Sequence, residues 1–163
     1  MKFIKNVAVI LPIFLLWAAG GCATSPDASE PSTEQARKYA IDYDTYKAEA
    51  FASDAAARRF MMLSHCGIFD GAGSEGYAWN LGRLAEHFGD VHFVEILMSM
   101  ENPVQKDVLK MVVYDAGWGN SETIFHDYCR RFPLTAGRMV RLEVVKESDV
   151  NGNAGATTQS RGP

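Results

Sequence analysis

The chain has 163 residues, 47% of them hydrophobic and 22% charged, with a formal net charge of −4. That length gives one domain with a core of its own and is too short for two, and the composition excludes a wholly disordered chain. The acidic balance, with no basic run in view, argues against nucleic acid as a partner.

At the N-terminus Lys2 and Lys5 flank the start of an apolar stretch, Val7 to Trp17, and small residues follow it. This is the layout of a secretory signal peptide. The stretch is 11 residues long, short of the roughly 20 that a membrane-spanning helix needs. The run Ala19-Gly20-Gly21-Cys22 then resembles the lipobox of bacterial lipoprotein precursors, in which small residues precede an obligatory cysteine. The resemblance covers only the first 22 residues or so. It implies that residues 1–21 are removed and that Cys22 becomes the lipidated first residue, with a diacylglyceryl thioether and usually an N-acyl chain. The protein would then face the periplasm on an envelope membrane. Ala23 stands where an aspartate would favour the inner membrane, which points to the outer one. Loss of Lys2 and Lys5 leaves 14 basic against 20 acidic residues, a net charge of −6.

From Ala23 to Ser32 the chain is small, polar and proline-containing, as expected of a flexible tether beyond Cys22. A body over residues 33–147 reads as a succession of helices. Ser32-Thr33-Glu34-Gln35 has the form of a capping box, and Tyr39, Tyr43, Tyr46 and Ala50 continue one apolar stripe. Ser53-Asp54 starts a second helix carrying Phe60 and Leu63, with Met62, Cys66 and Phe69 widening its stripe. Ser74 starts a third, with Tyr77, Leu81, Leu84 and Phe88, ending at Gly89.

Asp90 opens a fourth helix through Phe93, Leu97 and Met100. Asn102-Pro103 opens a fifth, with Asn102 as cap, Gln105 behind it and Val104, Val108, Met111 and Val112 as the buried face. Ser121-Glu122 begins a sixth, with Phe125, Cys129 and Phe132, and Pro133 stops it. Met139 to Val145 is assigned to a final weak helix, because its alternation has no partner strand. Residues 148–163 contain one valine and no larger apolar residue, the composition of a disordered tail.

The expected fold is therefore all-α, with about six short helices packed as antiparallel αα-hairpins. It loosely resembles HEAT-type repeats, on the strength of Ser74-Glu75 and Ser121-Glu122 lying 47 residues apart.

Gly71, Gly73 and Gly76 spell G-x-G-x-x-G, the dinucleotide fingerprint in its weakest form. A buried strand should precede it, but Ala55 to Phe69 has helical periodicity. Asp70 and Glu75 bracket the loop with negative charge where a pyrophosphate needs neutral amides. The expectation is a connection between two helices, with no dinucleotide and no cofactor.

Two cysteines remain beside Cys22, and in an exported protein Cys66 and Cys129 suggest a disulfide. His126 and Cys129 share a helix face, but the close ligand pairs of structural zinc are missing. His87 and His92 lack the spacing of a zinc protease, and Ser64 beside His65 is mere adjacency, not a triad. An envelope hydrolase using Glu75 or the His126/Cys129 region is the enzymatic alternative. A structural lipoprotein without a specific ligand is a third possibility. The reading favoured by the sequence is a non-enzymatic module that docks a protein partner, with Trp79, Tyr114 and Trp118 as candidate aromatic anchors.

Overall fold

The structure, a computed structural model, describes residues 30–117 and 121–151. Cys22, the signal segment, most of the tether, Trp118 and the tail from residue 152 lie outside the described residues. Those described form eight α-helices and one 3₁₀ turn, with no strand among them. The helices are α1 (Pro31–Arg37), α2 (Tyr43–Glu49), α3 (Asp54–Met61), α4 (Gly71–Met98), α5 (Asn102–Asp115), α6 (Glu122–Arg131), α7 (Pro133–Arg141) and α8 (Glu147–Asn151), and the 3₁₀ turn Met62–Cys66 follows α3.

The long first helix expected from the tyrosine stripe is two helices. The backbone turns back after α1, with Ile41 N–H bonded to the Ala36 carbonyl at 3.1 Å and Ala40 at φ +58°. Asp42 then caps α2, its carboxylate accepting from the Thr45 amide at 3.1 Å and the Thr45 hydroxyl at 2.8 Å. A local Asp-x-x-Thr cap outcompetes continuation of the helix. Tyr43 is buried in consequence, while Tyr39 stays in solvent. Ser32 is not a cap either. It lies inside α1, and its hydroxyl donates to the Gly73 carbonyl at 2.8 Å.

Ser53 caps α3 as its position suggests, accepting from the Ala56 amide at 3.3 Å. Gly67, at φ +63°, ends the 3₁₀ turn. Four rings close the near end of the core. Phe69 stacks on Tyr77 at 4.5 Å, Phe60 lies 5.1 Å from Tyr77, and Tyr43 lies 5.7 Å from Phe60. The buried Tyr77 hydroxyl donates to the carbonyls of Phe60 and Met61 at 2.9 and 3.1 Å, which ties α4 to the end of α3.

α4 is the centre of the molecule, packing against α1, α3, α5 and α7. It begins at Gly71 and not at Ser74, and it is broken at Gly89 (φ 73°, ψ 165°). Gly89 is where the sequence pattern ends one helix and starts the next. The break aims Asp90 at α7. Its carboxylate accepts from the Leu134 and Thr135 amides at 2.7 and 2.8 Å and from the Thr135 hydroxyl at 2.7 Å. Asp90 thus opens the second segment of α4, as the sequence expects, while its side chain caps α7.

Asn102 and Gln105 are also spent elsewhere. Asn102 accepts from Arg138 at 2.9 Å, and the buried Gln105 accepts from Arg138 at 2.9 Å while donating to the Met100 carbonyl. Ser121 caps α6. Pro133, expected to stop α6, is the first residue of α7, where its missing N–H costs nothing. The weak helix over 139–145 and the tail from 148 both need correction. α7 ends at Arg141, Glu143 turns the chain at φ +55°, and α8 continues to Asn151 with Val145 and Val150 packed on the core.

Candidate functional site

The glycine motif forms the first turns of α4 and is a seat for α1. An added Cβ at Gly73 would overlap the Gln35 amide, and one at Gly76 would come within 2.7 Å of Ser32 Oγ and 2.8 Å of Glu30 Oε1. Gln35 reaches on to Asp70, accepting from its amide and donating to its carbonyl, both at 2.9 Å. Asn80, 3% exposed, donates to the Gly76 carbonyl at 2.8 Å, the Tyr43 hydroxyl at 3.2 Å and the Glu30 carboxylate at 3.3 Å. Lys47 pairs with the same carboxylate at 2.5 Å. The sides of these glycines are therefore filled by α1 and its hydrogen bonds.

The expected disulfide is not formed: both thiols are free. Cys66 is exposed at the end of the 3₁₀ turn and bonds the Met62 carbonyl at 3.5 Å. Cys129 is buried on α6, where burial pushes its thiol up to about 11. The two belong to different neighbourhoods, since the 3₁₀ turn packs on α3 and α5 whereas α6 packs on α7 and α8.

The histidines are dispersed. His65 meets Asp107 and His92 meets Asp54, each at 2.8 Å, and His87 bonds the Phe51 carbonyl at 3.1 Å. Among the described residues no group of three or more His, Cys, Asp or Glu side chains is placed to hold a metal ion.

The aromatic anchors fare differently. Trp79 on α4 and Tyr114 on α5 are 55% and 50% exposed. They are linked through Glu75, which lies one turn before Trp79 and accepts from the Tyr114 hydroxyl at 3.2 Å. That bond raises the Tyr114 pKa. Arg83, one turn beyond Trp79, lies over its ring at 4.9 Å.

Beside this pair lies a constellation that the sequence reading missed. Asp115, the last residue of α5, occupies space that only a glycine at position 82 provides, because an added Cβ there would overlap its Oδ2. Asp115 is exposed at the surface; partial desolvation, and then Glu86, raise its carboxyl. Glu86 itself holds Arg131 at 2.7 Å. Tyr128 on α6 is 8% exposed, and its enclosed hydroxyl has no hydrogen-bond partner among the described residues. Burial raises its pKa, and the charges of Asp90 and Asp115 raise it further. One signal for this corner was present in the sequence: a carboxylate in the last turn of α5 sits at the end of the helix dipole that favours cations.

No protein-family model, no curated protein and no solved structure matches the chain.

Proposed function

We propose that the protein is an exported lipoprotein, held on the periplasmic side of an envelope membrane by Cys22, whose helical body docks a protein partner without catalysing a reaction. The observation that carries this reading is the run Ala19-Gly20-Gly21-Cys22 behind a lysine-flanked apolar segment. Several acyl chains on one cysteine give a stable anchor where a single chain is marginal. Among the described residues no helix is long and apolar enough to cross a membrane. The neighbouring exposed rings of Trp79 and Tyr114 support docking, since large aromatics on a surface are typical binding anchors.

Acyl labelling and membrane fractionation of the Cys22→Ser chain test the anchor. The substitution abolishes label and releases the product from membranes; retention of both refutes the reading. Crosslinking on intact cells tests the docking. A stoichiometric partner is recovered with the native chain, and Trp79→Ala reduces its recovery about 10-fold or more, the scale of an aromatic hot spot.

A further inference from the structure

One face of α7 is only partly covered. Pro133, Ala136, Gly137, Val140 and Arg141 recur at i, i+3, i+4, i+7 and i+8, so they form one stripe along that helix. The stripe lines a hollow of about 610 Å³ together with Cys129 of α6 and Val150 of α8. That volume falls within the roughly 300–1,000 Å³ of small-molecule pockets. The wall supplied by α8 is light. This helix has five residues, none of them buried, and no side-chain hydrogen bond or ion pair ties it to α6 or α7 among the described residues.

Gly137 has no packing reason to be glycine. Its φ is not left-handed, and an added Cβ would meet nothing within 4 Å. Glycine inside a helix is a poor choice on propensity alone. Its smallness serves no contact within the described chain, but it keeps the hollow open. Residues 152–163 cannot fill that space with apolar bulk, since they hold no apolar side chain larger than alanine except a terminal proline.

The stripe ends on Arg141, which also lines a second hollow, of about 390 Å³, with Lys106 and Asn102 of α5. Neither Arg141 nor Lys106 makes a hydrogen bond or ion pair among the described residues. Glu143 is the one acid in that lining and pairs with neither. In the first hollow Arg130 is held by Asp127 at 2.9 Å, and Glu147 is the one acid. An apolar stripe that runs into two unanswered cations suits a molecule with an apolar chain and an anionic head.

We propose that this stripe is the seat of a single-chain anionic amphiphile, a fatty acid by chemical class. Its chain lies along Gly137 and Val140 beside α8, and its carboxylate lies against Arg141 and Lys106. The inference goes beyond the docking reading and does not depend on it.

The test is an amide NMR titration of the full-length Cys22→Ser chain, free of acyl groups and without detergent. The probes are decanoate, hexanoate, decanol and decyltrimethylammonium, each below the concentration at which it forms micelles. Decanoate gives saturable shifts centred on Gly137, Val140 and Arg141, and hexanoate binds at least about 4-fold more weakly. Decanol binds about 3-fold or more weakly than decanoate, and decyltrimethylammonium gives no shifts. Arg141→Gln combined with Lys106→Gln weakens decanoate about 5-fold or more and leaves decanol unchanged. Gly137→Leu abolishes binding of both while the thermal midpoint holds or rises, leucine being the better helix former. Shifts that do not saturate, equal affinity for decyltrimethylammonium, or a folded Gly137→Leu chain that binds as the native one does overturns the proposal. A response to phosphatidylglycerol vesicles with none to decanoate also overturns it, and assigns the two cations to a membrane surface instead.

Discussion

Asp90 and Asp115 are the same residue type on adjoining helices with opposite energetic roles. The Asp90 carboxylate takes three hydrogen bonds from the first turn of α7, two of them from backbone amides that would otherwise lack acceptors. Asp90→Ala therefore lowers stability by about 2 kcal/mol, read as a reduced urea midpoint, and Asp90→Asn recovers part of the loss. Asp127→Ala, which removes only an exposed ion pair with Arg130, shifts the midpoint by no more than about 0.5 kcal/mol. Asp115 works the other way. Its folded pKa is raised above the ordinary carboxylate value by partial desolvation and by Glu86, so the folded protein binds the proton more tightly than the unfolded chain does. The resulting penalty is complete above the raised pKa and disappears as pH falls to the unfolded value, near 4. Asp115→Asn accordingly unfolds at higher urea than the native chain at pH ~7, and the two converge by pH ~3. A midpoint gap that stays constant across that window would mean Asp115 titrates alike in both states.

At the scale of elements, the legible features were those whose chemistry is local. Ser53 and Ser121 cap their helices through amides three residues on, and Gly89 takes a left-handed φ where α4 breaks. Features whose partners lie far along the chain were not legible. The α1–α2 break uses Ala40 in a conformation usually left to glycine or asparagine. Asn102 and Gln105 serve Arg138, more than thirty positions away. Of the candidate site, Trp79 and Tyr114 stood out as aromatics, but the close approach of Asp115 to Gly82 is created by packing. The glycine motif illustrates the difference most clearly. Gly76 has no special φ, so its smallness can only serve close approach, and Ser32 and Glu30 of the α1 region fill the space beside it. Intrinsic helix propensity alone makes Gly76→Ala stabilising by about 1 kcal/mol. The contacts at 2.7 and 2.8 Å predict the contrary. Hydrogen exchange of α1 amides speeds up in Gly76→Ala while α7 amides keep their protection. A variant more stable than the native chain, with α1 unchanged, would show that Ser32 and Glu30 simply step aside.

For the molecule as a whole, the free thiols mean that stability rests on one apolar core that runs from Ala36 to Val145 without a covalent staple. A bond between Cys66 and Cys129 would close 62 intervening residues, a stabilisation of roughly 4 kcal/mol in the chain-entropy model. An effect that large separates the two states of the protein cleanly. In the Cys22→Ser chain, Cys66 reacts with a thiol reagent under native conditions because it is exposed. Cys129 stays silent, being buried and with its thiol pushed up to about 11. Unfolding then reveals the second thiol, so the count rises from one to two. The urea midpoint is the same with and without reductant, because no bond is there to break. If unfolding without reductant instead released no thiol at all, and reductant lowered the midpoint by several kilocalories' worth, the two cysteines would have to be neighbours. The packing of the 3₁₀ turn on α3 and α5, away from α6, would then be wrong.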